Sequence, residues 1–385
     1  MKEIYLDNAA TTRVDEKVEK EMRPYLKEKY GNPSSLHLKG EEAKRGLDWA
    51  RMIIAKEIGA KFNEIIFTGS GTEANNFALK GLFFKNYPNK NHIIITKIEH
   101  DSILNTCKWL EKHGASISYL DVNSGGFVDL NQLENSITEK TILVSIIHGN
   151  NEIGTIQDLK SIGDICKKNK VLFHTDACQS FTKVPIDVKK SGVDLMTINA
   201  HKIHGPKGVG AIYIREGVKI DPLLHGGGQE FKLRSSTENM IGIIGFGMAV
   251  KIASNSDIKK MKILRNYFIS EILKIPDTQL NGASGDKRLC NNINISFKNI
   301  EGESTGSFLN VKGIFTSTGS ACSSKSLEPS HVLLSLGLSP LEANSSVRFS
   351  ISKYTTKQEL DYAVKELKKV VERLRKISPL ANSEE

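Results

Sequence analysis

Short apolar segments alternate with longer segments of helical periodicity between about residue 60 and residue 215. One of them, residues 142–147, is apolar at every position except Ser145. Such runs are typical of strands covered on both faces, as in a largely parallel sheet. The seven predicted strands are residues 64–68, 92–96, 116–120, 141–147, 171–175, 195–198 and 210–214. We therefore predict an α/β layered domain around a wound sheet.

The pattern changes after about residue 254, where helices and strands no longer alternate regularly. The predicted elements there are a helix at 258–275, a strand at 293–297, a Gly/Ser-rich loop at 316–326, a strand at 346–350 and an amphipathic helix carrying Leu360, Val364, Leu367, Val371 and Leu374. We interpret this part as a smaller α+β domain that the N-terminal segment completes. The predicted division is a large domain at 16–254, and a small domain formed by 1–15 and 255–385.

The composition is ordinary for a soluble globular protein, and no segment is predicted to span a membrane. No stretch of about 18 apolar residues occurs, and the most apolar run, residues 240–253, contains three glycines and predicts a buried helix. The N-terminus lacks the apolar segment of a secretory signal, so we expect a cytoplasmic location. The net charge of +9 comes from scattered lysines on the polar faces of predicted helices. This scatter favours ordinary solvated surface over a binding surface for an acidic protein or tRNA. We expect no direct contact with nucleic acid.

Five cysteines are present, and they form neither a C-x-x-C pair nor a metal-ligand spacing. Such a sparse, odd set indicates reduced thiols and predicts no metal site. Cys107 and Cys166 fall on the apolar faces of predicted helices, Cys178 follows a strand and Cys290 precedes one. These four are expected to be small core residues. Cys322 lies in a different setting.

Polar clusters follow several of the predicted strands, and ligands of open α/β sheets bind beyond the carboxyl ends of strands. The turn at residues 68–73 could cradle a phosphate with backbone N–H groups at a helix start, although a plain tight turn fits equally well. Asp176, at a second strand end, could hold a cationic ring nitrogen or could cap a helix.

Two further residues stand at strand ends. Lys202 could be a phosphate contact, a surface loop residue or a Schiff-base lysine. His100 could stack on a flat ring or be an ordinary polar residue near a helix start. Taken together with Asp176 and the turn at 68–73, they make up the parts of a pyridoxal-phosphate site: a lysine to hold the cofactor, an acid for its ring nitrogen and an anchor for its phosphate.

The chain also resembles a known family, the cysteine desulfurases of the NifS/IscS branch. The segments that carry this resemblance are YLDNAATT (5–12), GNPSS (31–35), GTEANN (71–76), NNEIG (150–154), DACQ (176–179), HKIHGPKG (201–208) and SACSS (320–324). They occur in the family's order from about residue 4 to residue 377. The resemblance implies a fold-type I pyridoxal-phosphate enzyme, like aspartate aminotransferase, with a mostly parallel seven-stranded sheet and a smaller α+β domain.

The resemblance also implies roles for individual residues. Lys202 would be the cofactor-linked lysine, Asp176 the partner of the pyridinium nitrogen, and His100 the stacking residue and candidate acid/base. The other implied cofactor contacts are Gln179 and Asn151 at the ring, Gly71, Thr72, Asn199 and His201 at the phosphate, and Thr237 from the neighbouring subunit of a homodimer. Arg348, with Asn151 beside it, would bind the substrate carboxylate.

Cys322 lies in a polar segment, residues 317–326, with no apolar periodicity to bury it. An exposed thiol there could reach into a site, so we predict that Cys322 attacks the sulfur of substrate L-cysteine. The products would be L-alanine and a Cys322 persulfide. The sulfur would pass to an iron–sulfur scaffold protein or another acceptor, tRNA thiolation included.

Three segments depart from the family pattern. Asn199 stands where many relatives have serine, which puts that phosphate contact in question. Phe231, Lys232 and Ser236 stand where small or basic residues are commoner, beside the dimer-side phosphate pocket. At residues 290–292 a usual proline-asparagine is missing, which concerns only a turn.

Two other functions remain open on the residues. A related lyase or aminotransferase, such as a selenocysteine lyase, could use the same scaffold, but an aminotransferase would not need Cys322. A non-enzymatic scaffold for iron–sulfur assembly would need neither Lys202 nor Asp176.

Overall fold

The computed structural model describes residues 3–318 and 328–378, and this part of the chain forms twelve strands and thirteen helices. The strands are β1 (Ile4–Tyr5), β2 (Ile65–Thr68), β3 (His92–Thr96), β4 (Ser116–Leu120), β5 (Thr141–Ser145), β6 (Leu172–Asp176), β7 (Leu195–Asn199), β8 (Gly210–Ile214), β9 (Thr278–Leu280), β10 (Asn292–Phe297), β11 (Ile314–Phe315) and β12 (Ser346–Ser350). The helices are α1 (Glu16–Met22), α2 (Pro24–Lys27), α3 (Leu38–Glu57), α4 (Gly71–Asn86), α5 (Asp101–Glu111), α6 (Leu130–Ser136), α7 (Leu159–Lys168), α8 (Met240–Lys251), α9 (Asn255–Ile272), α10 (Gly302–Val311), α11 (His331–Ser335), α12 (Pro340–Asn344) and α13 (Lys357–Ile377).

The central sheet has seven strands in the order β2-β8-β7-β6-β5-β3-β4, and only β8 runs against the others. This confirms the predicted α/β fold with a mostly parallel sheet. The predicted strand at 141–147 was too long, because β5 ends at Ser145. The backbone N–H of Ile147 is bound by the Glu99 carboxyl at 2.9 Å and is not available to a neighbouring strand.

Helices cover both faces of the sheet, as the apolar runs predicted. Ile93 and Ile95 of β3 pack in one core with α4 and α5, whereas Ile94 packs in the opposite core with α3 and α8. The predicted buried helix at 240–253 is α8, and it lies very close to α3. A Cβ atom on Gly247 would come within 2.8 Å of the Ala50 Cα, so glycine permits this close approach.

A second core lies between a three-stranded antiparallel sheet, β12-β10-β9, and the helices α9 and α13. The N-terminal segment joins this core through Ile4 and Leu6, and β1 pairs in parallel with β11. The domain boundaries near residues 15 and 254 remain a prediction. Within the described ranges, no helix combines the length and the apolar character needed to cross a membrane.

The N-terminal segment connects the second core to the carboxyl edge of the central sheet. Asn8 donates its backbone N–H to Ser350 of β12 at 3.2 Å, and Thr12 donates its own to His201 at 2.9 Å. The residues between them therefore pass directly over the ends of β6 and β7. This crossing brings Ala9 and Ala10 to the predicted site.

Candidate active site

The predicted phosphate turn lies between β2 and α4, as expected. The Ser70 hydroxyl accepts the backbone N–H of Glu73 at 3.1 Å and caps the helix, which begins at Gly71. A Cβ atom on Gly71 would lie 2.7 Å from Cys178 Sγ and 3.3 Å from Asn199 Nδ2. Because residue 71 has no side chain, Cys178 and Asn199 can lie close to the first residue of α4, and the positive end of this helix suits an anion.

Asp176 ends β6 and is buried, with 5% of its surface exposed. Its Oδ1 atom accepts the Cys178 N–H at 2.9 Å, and its Oδ2 atom accepts Asn75 Nδ2 at 2.7 Å. A turn follows it, so the alternative that Asp176 caps a helix is wrong. Among the described residues no cation lies within ion-pair distance of this carboxylate. A buried carboxylate is normally paired, and Asp176 is therefore suited to receive a cationic ring nitrogen.

Lys202 lies in the turn after β7 and points to the N-terminal crossing segment. Its Nζ atom donates to the Ala9 carbonyl at 2.5 Å and also to the Ala10 carbonyl. Gln179 Nε2 donates to the same Ala9 carbonyl at 2.9 Å, so the structure brings the predicted Lys202 and Gln179 together. His201 contacts Thr11 Oγ1 at 3.2 Å, and burial together with nearby lysines lowers the pKa of His201 to about 4.

His100 caps α5, and a row of hydrogen bonds connects it to Asp176. Its Nδ1 atom lies 2.9 Å from Ser102 Oγ, which receives Asn75 Nδ2 at 2.8 Å. Asn75 in turn contacts Asp176. The sequence reasoning missed the roles of Asn75 and Ser102, although the quoted segment 71–76 includes Asn75.

Arg348 of β12 is also buried, with 3% of its surface exposed. One terminal nitrogen contacts Asp7 Oδ1 at 3.0 Å, and the other donates to the Asn151 carbonyl at 3.2 Å. In the described part of the chain, the Nε atom is buried and has no hydrogen-bond partner. Arg348 and Asn151 thus lie together as predicted, and the guanidinium keeps donors for a carboxylate. Asp7 was not predicted as a site residue.

Two buried acids that the sequence reasoning missed lie behind the site. Glu99 accepts the Thr96 hydroxyl at 2.6 Å, and burial raises the pKa of its carboxyl to about 8. Glu152 accepts the Ser330 hydroxyl at 2.5 Å, and burial raises its pKa too. His331 Nε2 donates to the Glu99 carbonyl at 3.0 Å. These contacts attach the start of α11 to the ends of β3 and β5.

Other predicted residues lie apart from this cluster or outside the described chain. The side chains of Thr72 and Thr237 are exposed, and Thr237 lines a cavity of about 170 Å³ with Thr68 and Gly69 of its own chain. Cys322 lies outside the described residues. The other four cysteines, residues 107, 166, 178 and 290, are buried as predicted, and burial raises the pKa of each thiol.

The residues present fit pyridoxal 5'-phosphate. Asp176 is a buried carboxylate with no cation among the described residues, and Lys202 lies at the same sheet edge. Asn199 Nδ2 lies 3.3 Å from the position that a Cβ atom on Gly71 would take, so an amide donor faces the start of α4. The ring nitrogen would lie at Asp176, the carbonyl carbon at Lys202 and the phosphate at Asn199 and the start of α4.

Comparisons with known proteins show the family of this chain. Residues 4–363 match the class-V aminotransferase family. The chain is 50% identical to the cysteine desulfurase IscS of Dictyoglomus turgidum, over 98% of this chain and 97% of that protein. It is 48% identical to the cysteine desulfurase IscS of Methanosarcina thermophila, over 100% of this chain and 95% of the relative.

Solved structures with this fold include a NifS-like protein with a TM-score of 0.91 and 40% identity, over 97% of this chain and all of that one. A structure described as SspA in complex with cysteine has a TM-score of 0.83 and 37% identity, over 92% of this chain and all of that one. The similarity therefore extends over the whole architecture.

Proposed function

The chain belongs to the class-V aminotransferase family and, within it, to the cysteine desulfurases, and we propose that Cys322 receives the sulfur of L-cysteine. It is a pyridoxal-phosphate-dependent enzyme that removes sulfur from L-cysteine and gives L-alanine. The bound cofactor supplies an electron sink for the pair left on the substrate when its carbon–sulfur bond breaks.

The observation that carries the site assignment is the buried Asp176 carboxylate, which has no cation among the described residues. We propose that this carboxylate pairs with the protonated ring nitrogen of the cofactor. Lys202 would bind the carbonyl carbon of the same cofactor. Gln179 and Asn151 would contact the ring, and His100 would stack on it. The phosphate would lie at the start of α4, held by Gly71, Thr72, Asn199 and His201.

Arg348 would bind the substrate carboxylate. Among residues 3–318 and 328–378 its buried Nε atom has no partner, and each terminal nitrogen has a hydrogen left after contacting Asp7 or Asn151. A carboxylate could therefore accept two parallel hydrogen bonds from this guanidinium. This contact would orient the substrate relative to Lys202.

Cys322 is proposed as the nucleophile because the other cysteines are unsuited to the role. All four are buried with raised pKa values, and the thiolate is the reactive form of cysteine. Ser317 exchanges two backbone hydrogen bonds with Arg348, at 3.1 and 2.7 Å. Cys322 follows Thr318 by four residues, a reach of at most about 14 Å at ~3.5 Å per residue.

Sulfur transfer to Cys322 exchanges the carbon–sulfur bond of the substrate for a sulfur–sulfur bond. The Cys322 thiolate forms a bond to the substrate sulfur, and the bond from that sulfur to the substrate β-carbon breaks. The electron pair remains on the carbon side, and protonation of the β-carbon gives L-alanine. Cys322 then carries a persulfide, which an acceptor or an added thiol can remove.

We also propose a homodimer with shared sites. The side chains of Leu36 and Leu38 are 96% and 81% exposed, and Phe231, which precedes the exposed Thr237 by six residues in the chain, is 49% exposed. Apolar residues exposed to this degree favour a protein interface. Thr237 would then contact the phosphate in the partner's site. We propose a cytoplasmic enzyme that supplies sulfur for iron–sulfur cluster assembly, or for tRNA thiolation, through a protein acceptor.

The test is turnover of L-cysteine with a thiol reductant. The wild type should bind pyridoxal phosphate and release alanine and sulfide in equal amounts. Lys202→Ala should lose at least about a thousandfold in rate, because it removes the covalent holder of the cofactor. The exposed Lys207 provides a control, and Lys207→Ala should keep the activity. Undiminished turnover by Lys202→Ala would refute the assignment.

A further inference from the structure

The His100 ring is placed by the first turn of α5. Its Nδ1 atom accepts the backbone N–H of Ser102 at 3.1 Å, as the cap of that helix. A ring nitrogen that accepts an N–H carries no hydrogen of its own. Neutral His100 must therefore hold its proton on Nε2.

The Ser102 hydroxyl is compatible with this tautomer. Its oxygen receives one amide hydrogen of Asn75 at 2.8 Å, which leaves its own hydrogen available to donate to His100 Nδ1 at 2.9 Å. The second amide hydrogen of Asn75 goes to Asp176 Oδ2 at 2.7 Å. Reversing the Asn75 amide would set its oxygen against the Asp176 carboxylate, so this orientation is fixed by charge.

These contacts are shielded from solvent. Asn75 is 1% exposed and Ser102 is 9% exposed. Protonation of His100 on Nδ1 would remove the hydrogen bond that this atom accepts from the Ser102 backbone N–H. It would also place a cation at the positive end of α5, which the helix dipole disfavours.

We infer that Ser102 and Asn75 are positioning residues that hold His100 as the neutral Nε2–H tautomer and connect its ring to the Asp176 carboxylate. His100 therefore offers the site a hydrogen-bond donor at Nε2 and does not act as a base at that atom while this arrangement lasts. The inference rests on the proposed function only in taking His100 and Asp176 as site residues.

The test is nitrogen-15 NMR of histidine-labelled, cofactor-loaded, full-length protein at neutral pH, without substrate. His100→Gln identifies the His100 signals by their loss. The wild type should show the pattern of a neutral ring protonated on Nε2. A ring protonated on Nδ1, or an imidazolium, would overturn the inference, and this result needs no other variant to fold.

Substitutions at Ser102 test the positioning role. Ser102→Ala keeps the backbone N–H to Nδ1 but removes the hydroxyl, so it should raise the fraction of the Nδ1–H tautomer and lower kcat about 5- to 10-fold with KM unchanged, the effect of one hydrogen bond. Ser102→Thr keeps the hydroxyl and should restore both the wild-type His100 tautomer and the wild-type kcat. Ser256 holds the same second position in α9 and is exposed, so Ser256→Ala should change neither. If Ser102→Ala matches the wild type in tautomer and in kcat, Ser102 has no such role.

The outcomes separate this inference from the proposed function. If His100 is protonated on Nε2 but no alanine is formed from L-cysteine, the proposed function fails and the tautomer assignment stands. If alanine is formed while His100 is charged or protonated on Nδ1, the assignment of Ser102 and Asn75 fails alone.

Discussion

Glu99 shows how a single residue beside the site affects stability. It immediately precedes His100, and its buried Oε2 atom has no hydrogen-bond partner within the described ranges. Burial raises the pKa of this carboxyl from about 4.5 to about 8, so the folded protein keeps it protonated at neutral pH. The unfolded chain loses that proton at lower pH. The contribution of Glu99 to the free energy of unfolding is therefore fully present below about pH 4.5 and is lost as the pH rises towards 8.

Glu99→Gln should remove this dependence, since glutamine is neutral and nearly the same shape. The free energy of unfolding of the variant, relative to wild type, should increase by up to about 1.4 kcal/mol per pH unit between about pH 5 and pH 8. Denaturant titrations at several pH values measure it. The exposed Glu303→Gln is the control and should follow the wild type; a constant difference for Glu99→Gln would contradict the account.

Arg348→Lys tests the proposed carboxylate contact. Lysine keeps the charge but cannot donate two parallel hydrogen bonds, so KM for L-cysteine should rise roughly 10- to 100-fold. Steady-state kinetics measure this change, with the exposed Arg373→Lys as the control. An unchanged KM would mean that another group holds the substrate carboxylate.

The turn at residues 230–232 is the most strained short element in the described part of the chain. Glu230, Phe231 and Lys232 all have positive φ angles, of 47°, 58° and 67°, and none is glycine. The buried Glu230 carboxylate holds the turn through two contacts with Arg51, at 2.6 and 2.8 Å, and one with the Phe67 N–H. This buried pair offsets the cost of the left-handed backbone.

Lys232→Gly should relieve part of that cost, because glycine adopts a positive φ without steric penalty. We expect the free energy of unfolding to rise by about 1 kcal/mol, measured by chemical denaturation at fixed protein concentration. Lys365→Gly, on the exposed face of α13, should instead destabilise by about 1 kcal/mol. A loss of stability with Lys232→Gly would show that the lysine side chain matters more than the backbone.

The sequence predicted strands well where apolar β-branched residues covered both faces. The bounds of β3 and β8 match the prediction because their runs end at polar or turn residues. The end of β5 could not be predicted, since the Glu99 carboxyl that ends it comes from another loop. The hydrogen bonds that connect Asp176 to His100 were missed for the same reason. They join α4, α5 and β6, and Asn75 lies 101 residues from Asp176 in the chain.

At the scale of the whole molecule, the account predicts a homodimer with two shared sites. Thr237→Ala should weaken cofactor binding roughly tenfold, the effect of one hydrogen bond to a charged phosphate. A mixed dimer of Lys202→Ala and Thr237→Ala protomers tests whether sites are shared. Its one site with Lys202 would receive Thr237 from the other protomer, so that site should bind with wild-type affinity. Weakened binding in the mixed dimer would mean that Thr237 acts within its own chain.

The central claim is that Cys322 carries the sulfur taken from L-cysteine. The most direct test is a single turnover without reductant, followed by alkylation of persulfides and mass mapping of peptides from wild type and Cys322→Ser, both loaded with pyridoxal phosphate. The account predicts one persulfide per active site on the Cys322 peptide, an equal amount of alanine, and neither product from Cys322→Ser. Alanine formation by Cys322→Ser at the wild-type rate, or a persulfide on another cysteine, would contradict it.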